Sequence, residues 1–164
     1  MKRPGLLALL GLLLGVGAAV ALFGRAPATG QPVVLNGTAV PPVPTLVPEQ
    51  VARGATLYAQ SCARCHGANL EGQPNWKVRL PDGTLPAPPH DDTGHTWHHS
   101  DTVLRDIITR GGQAVYGSAD SPSAMPAFSG TLSDADTTAI LDFLKSRWGT
   151  EQREYQWWMT ATGK

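Results

Sequence analysis

Cys62-Ala63-Arg64-Cys65-His66 is the stretch from which the rest of the chain is read. Two thiols three positions apart on the first turns of a helix can each bond one vinyl group on the same porphyrin edge. The adjacent imidazole then turns under the ring to meet the metal. Cys-x-x-Cys-His is the attachment signature of c-type haem. Cys62 and Cys65 are the only cysteines in the chain, so no other thiol competes for either. A redox disulfide of the same spacing sits in a βαβ setting, of which there is no sign here. A structural zinc site needs four ligands, and no second cysteine pair exists. The motif therefore predicts one covalent haem c on Cys62 and Cys65, with His66 as an axial ligand.

At 164 residues the chain has room for one domain plus tails. Charged residues make up 16% of it, and 18 glycines with 14 prolines point to long irregular segments. So loop-rich a chain buries a thin core by itself, and a covalently held porphyrin would supply apolar mass. The formal charge of zero hides an asymmetry, because Lys2, Arg3 and Arg25 lie at the N-terminus. From Thr29 onward 10 Lys/Arg face 13 Asp/Glu, a net of −3, which gives nucleic-acid binding no electrostatic support.

Met1-Lys2-Arg3 is followed by an uncharged run from Pro4 to Gly24. This reads as an export segment whose basic flank stays inside. Its length of about 20 residues favours an uncut membrane anchor over residues 1–24. The haem domain would then lie on the extracytoplasmic side of the cytoplasmic membrane. Cleavage near Ala26-Pro27-Ala28, leaving a soluble periplasmic protein, is the alternative. Residues 25–48 carry Pro27, Pro32, Pro41, Pro42, Pro44 and Pro48, and are expected to run extended without a packed core. They would serve as a tether or as simple spacing.

A helix is expected from Glu49 to Ala59, with Val51, Gly54, Ala55 and Tyr58 on one face. Gly67 to Ser100 shows no sustained period and holds Gln73-Pro74-Asn75-Trp76, Leu80-Pro81-Asp82-Gly83 and Pro86-Ala87-Pro88-Pro89, all turn chemistry. Wrapping a flat cofactor is one reason for so long a loop. A second helix is expected from Asp101 to Arg110, capped by Ser100 and stopped by Gly111-Gly112. A third runs from Ser133 to Trp148, with Ser133 and Asp136 placed as a capping box. The haem domain thus spans 49–149. Residues 150–164, with Tyr155, Trp157 and Trp158, read as a helix or strap packed on it, or else as an interfacial membrane contact.

The second axial ligand decides what such an iron can do: a methionine sulfur closes it and raises its potential, whereas an open position invites O₂ or peroxide chemistry. Of the three methionines, Met1 is in the export segment and Met159 lies in the tail. Met125, in Ser123-Ala124-Met125-Pro126-Ala127-Phe128, sits on a proline-stiffened loop that suits an axial thioether, or it fills a gap in the core. His90, His95, His98 and His99 fall within ten residues together with Asp91 and Asp92. They could hold a second metal such as copper, meet a haem propionate, bond within the loop, or form a polar surface turn.

From Glu49 to Trp148 the chain resembles a class I monohaem cytochrome c. The resemblance rests on the Gly54–Tyr58 helix, Cys62-Ala63-Arg64-Cys65-His66-Gly67, the Met125-Pro126 loop and the last helix with Ile140, Leu141, Phe143 and Leu144. It implies an all-α cytochrome c-like fold, three main helices and long loops around one haem. It also implies that Gly54 and Tyr58 meet Phe143, and that the carbonyl of Pro74 accepts the Nδ1 proton of His66. The His-rich loop and the Trp157-Trp158 tail are not part of the general family pattern, and suggest a membrane-anchored bacterial subgroup. The activity implied is one-electron transfer between membrane-associated respiratory partners, by a carrier rather than an enzyme, free or as a subunit of an oxidoreductase complex. The alternatives are a metal-handling haem protein using His90 to His99, and a haem sensor or peroxidase-like protein with an open iron.

Overall fold

A computed structural model describes residues 30–164. The expected anchor, residues 1–24, and the start of the linker lie outside the described residues. The order of elements is β1 (Val33–Leu35), β2 (Thr38–Val40), α1 (Pro48–Ser61), α2 (Ala63–His66), α3 (Asp101–Arg110), α4 (Gly112–Val115), α5 (Asp134–Ser146) and α6 (Thr150–Thr162). A single 3-10 turn at Thr96–His98 interrupts the long loop between α2 and α3. The fold is thus all-α apart from one two-stranded hairpin.

The most extensive helix contact is that of α1 with α5. It is close because Gly54 has no side chain: a Cβ there would overlap the carbonyl of Ala139. Tyr58, one turn on, meets Phe143 with ring centroids 5.3 Å apart. Around this crossing Leu70, Leu104, Ile108, Leu132, Ile140, Leu141, Leu144 and Trp148 form the main core.

Helix α5 starts where the capping box was read. Ser133 Oγ accepts from the Asp136 amide, and the Asp136 carboxylate accepts from the Ser133 amide at 3.0 Å. That carboxylate also receives Arg53 of α1 at 2.6 Å, so the cap ties the two central helices together. Ser100 does stand at the N-cap of α3, but its hydroxyl makes no capping bond.

The linker departs from the expected extended chain. Val33–Leu35 and Thr38–Val40 pair antiparallel around Asn36-Gly37. Both turn residues have positive φ (49° and 74°), which is what a two-residue hairpin turn requires. Val33, Val40 and Val43 then close a second core against Trp158, which is 2% exposed. The tail is a full helix, α6, and Trp158 Nε1 donates to Thr38 O while Trp157 Nε1 donates to Pro41 O. A proline-rich stretch can still pack because its carbonyls are free to accept: Trp157 Nε1 meets Pro41 O and Arg153 meets Pro44 O.

Two outcomes follow from this packing. Gly54→Ala forces α1 off α5 and lowers unfolding stability by about 3 kcal/mol, measured by denaturant titration of the holoprotein. Hydrogen bonds from Ser133 first, then Arg53, hold Asp136 down at about 2 from its ordinary 3.8. A depressed carboxylate stabilises the fold above its unfolded pKa and loses that contribution as pH falls through its folded one. Asp136→Asn should therefore lower the thermal midpoint at neutral pH, with the difference shrinking between about pH 4 and pH 2.

Candidate haem site

The attachment motif occupies the junction of α1 and α2. Cys62 caps both helices, receiving the amides of Cys65 and His66 on its carbonyl at 3.0 Å each. Both thiols are free, Cys65 exposed and Cys62 half-buried. Burial, and then the nearby Cys65, push the Cys62 thiol up to about 11, so it stands as the neutral thiol at neutral pH.

His66 is buried. Its Nδ1 lies 2.9 Å from the carbonyl oxygen of Pro88. A carbonyl only accepts, so Nδ1 carries the proton and Nε2 keeps its lone pair in the neutral ring. Burial lowers the imidazole pKa, and the Pro88 bond only partly offsets it, so the ring stays neutral. This is the imidazole form that binds iron.

The carbonyl expected at Pro74 is therefore a correction: Pro88 fills that place and Pro74 is exposed. The loop doubles back to allow it. Gly72 N donates to His66 O at 2.8 Å, Gln73 N to Ala87 O at 2.9 Å and His90 N to Leu70 O at 2.8 Å, laying 70–73 beside 87–90. Gly72 has φ 68°, and a Cβ there would press into the backbone of Pro88 and Pro89.

Met125 is half-buried and packs against the main core. Its carbonyl accepts Gly112 N at 3.1 Å, and Phe128 N donates to Ile108 O at 3.0 Å, so the loop is laid along the end of α3. Gly111 and Gly112 make this possible, since a Cβ on either would press on the 123–127 segment.

The His-rich loop does not form one cluster. His90 lies apart, stacked on His66 with centroids 3.9 Å apart. His95 and His98 stack at 4.5 Å and 23°. His98 stacks on Trp97 at 3.7 Å, and the His99 Nδ1 lies 3.3 Å from the Tyr116 hydroxyl. Among the described residues no three His, Cys, Asp or Glu side chains converge as a metal site, so the second-metal expectation for His90, His95, His98 and His99 is corrected.

The residues present fit a covalent haem: two accessible thiols, a buried neutral imidazole with Nε2 available, and a loop carrying the exposed apolar side chains Val78, Leu80 and Leu85. Such a constellation on an all-α scaffold defines a haem-attachment domain. The chain matches the cytochrome c family model over residues 51–148, more than half its length, and it belongs to that family. Among curated proteins no match is found. The family carries covalent haem c and transfers electrons, and Cys62 and Cys65 stand in the CxxCH arrangement that would hold it.

Wild-type chain matured in a c-type cytochrome host should keep its chromophore through acid–acetone extraction, while the Cys62→Ala, Cys65→Ala double variant releases it. Retention by the double variant would remove both thiols from attachment.

Proposed function

We propose that the protein is a one-electron carrier whose iron is held axially by His66 and Met125, working outside the cytoplasmic membrane between respiratory partners. The observation that carries this reading is the His66 Nδ1–Pro88 bond, which leaves Nε2 unprotonated on the residue that follows Cys65. Bound haem supplies reversible ferrous–ferric chemistry. His66, locked by its carbonyl partner, offers a basic nitrogen of fixed direction in both oxidation states. Met125 is the internal methionine on an irregular loop, pinned through its carbonyl to Gly112, and it supports closure of the iron to small ligands. A soft thioether favours the ferrous state and hence a high potential. With ligands unchanged between the two states, little reorganises, and rate depends on partner distance and driving force.

The uncharged run from Pro4 to Gly24 behind Lys2 and Arg3 supports export. Among the described residues no helix is long and apolar enough to cross a membrane, so anchorage rests on the N-terminal segment alone. Cell fractionation with N-terminal sequencing of the mature protein separates anchored from cleaved forms.

Ligation is tested by Met125→Ala. Native ferrous protein should give a spectrum unaffected by carbon monoxide. The variant should bind carbon monoxide and show a lower reduction potential. A variant with unchanged spectrum and potential would show that Met125 is not the ligand, and rapid carbon monoxide binding by native protein would favour an open iron.

A further inference from the structure

An imidazole has one soft torsion near its ring, a broad sp³–sp² rotation that packing must fix. In His66 the Pro88 bond restrains it in the ring plane. A second restraint lies on the face: the His90 ring is 3.9 Å from that of His66, centroid to centroid, at an interplanar angle of 21°. His90 is itself held. Its amide donates to Leu70 O at 2.8 Å, its carbonyl accepts Trp148 Nε1 at 2.7 Å, and the Tyr58 ring abuts it edge-on at 6.0 Å. Trp148 is 4% exposed and belongs to the main core, so the restraint is anchored in packed structure. The Nδ1 of His90 is buried with no partner, so hydrogen bonding through that atom does not hold the ring in place. The stack does.

From this we infer that His90 is a positioning residue: a flat clamp on the face of His66 that sets the orientation of the proximal imidazole plane and, through it, the electronic state of the iron. The inference rests on His66 being the axial ligand. Orientation matters because the imidazole plane selects which iron d orbitals the ligand's π system meets, which shifts ferric g values and reduction potential together. A residue that merely filled space would lower thermal stability and leave both unchanged.

The test uses the full-length holoprotein and compares His90→Ala, His90→Phe and His90→Gln. Ferric low-spin EPR and a potentiometric titration are the readouts. His90→Ala, with haem still attached, should move the g values and the midpoint potential. His90→Phe, which restores a flat ring, should return both to the wild-type values. Wild-type g values and potential in His90→Ala would overturn the proposal. If that variant yields no holoprotein, the other pair decides: a wild-type signature in Phe with a changed one in Gln supports the clamp, and the reverse overturns it. Absence of covalent chromophore in the wild type would instead overturn the haem reading itself, which keeps the two failures apart.

Discussion

The hydrogen bond from His66 Nδ1 to the Pro88 carbonyl is the constraint around which the haem region is arranged. It fixes the tautomer, leaves the far nitrogen basic, and requires residue 88 to return to residue 66. That requirement accounts for the irregular course from Gly67 onward. A segment with no helix or strand must satisfy its amides by isolated pairings, and those of Gly72, Gln73 and His90 are satisfied in this way. Glycine at position 72 is part of the same arrangement, because the backbone of Pro88 and Pro89 occupies the space a side chain would need. The close contact of α1 with α5 then sets where the motif itself stands, since Tyr58 reaches from that contact to the Gly67 carbonyl at 3.0 Å.

Features with short-range signals were legible in the sequence. The attachment motif needs five consecutive residues, the capping box four, and the three main helices a period read within a window. The Gly54–Tyr58 contact with α5 followed from the resemblance and stands in the structure. The carbonyl that receives the His66 proton was not legible, because it lies 22 residues from the histidine and nothing local distinguishes one proline carbonyl from another. The hairpin was missed for a different reason. Asn36-Gly37 between valines and a leucine is a strong turn signal, which a reading by proline content alone does not register. For the His-rich loop, counting ligand atoms said nothing about convergence, and among the described residues no three such side chains converge.

Helix α6 shows how a polar surface can be buried. Gln156, 2% exposed, places the two protons of its Nε2 among three acceptors: the carbonyl of His99, the carboxylate of Asp101 and the hydroxyl of Thr160. Asp101 is also met by Lys145 at 2.6 Å, and Arg153, 4% exposed, donates to Pro44 O at 2.9 Å. The helix therefore holds the start of α3 on one side and, on the other, the strap of residues 41–47 that follows β2. It joins the two cores by hydrogen bonds from buried side chains, which offset the cost of burying these polar groups.

The clasp of β1, β2 and the strap onto α6 also gives the domain a defined mechanical path. A pull on the chain from its N-terminal side is taken first by the hairpin ladder and by the indole donors of Trp157 and Trp158. These yield by peeling, a few bonds at a time, before load reaches α1. The loops that surround the attachment motif lie beyond that fuse, so tension at the leading end leaves His66 undisturbed until the clasp has opened.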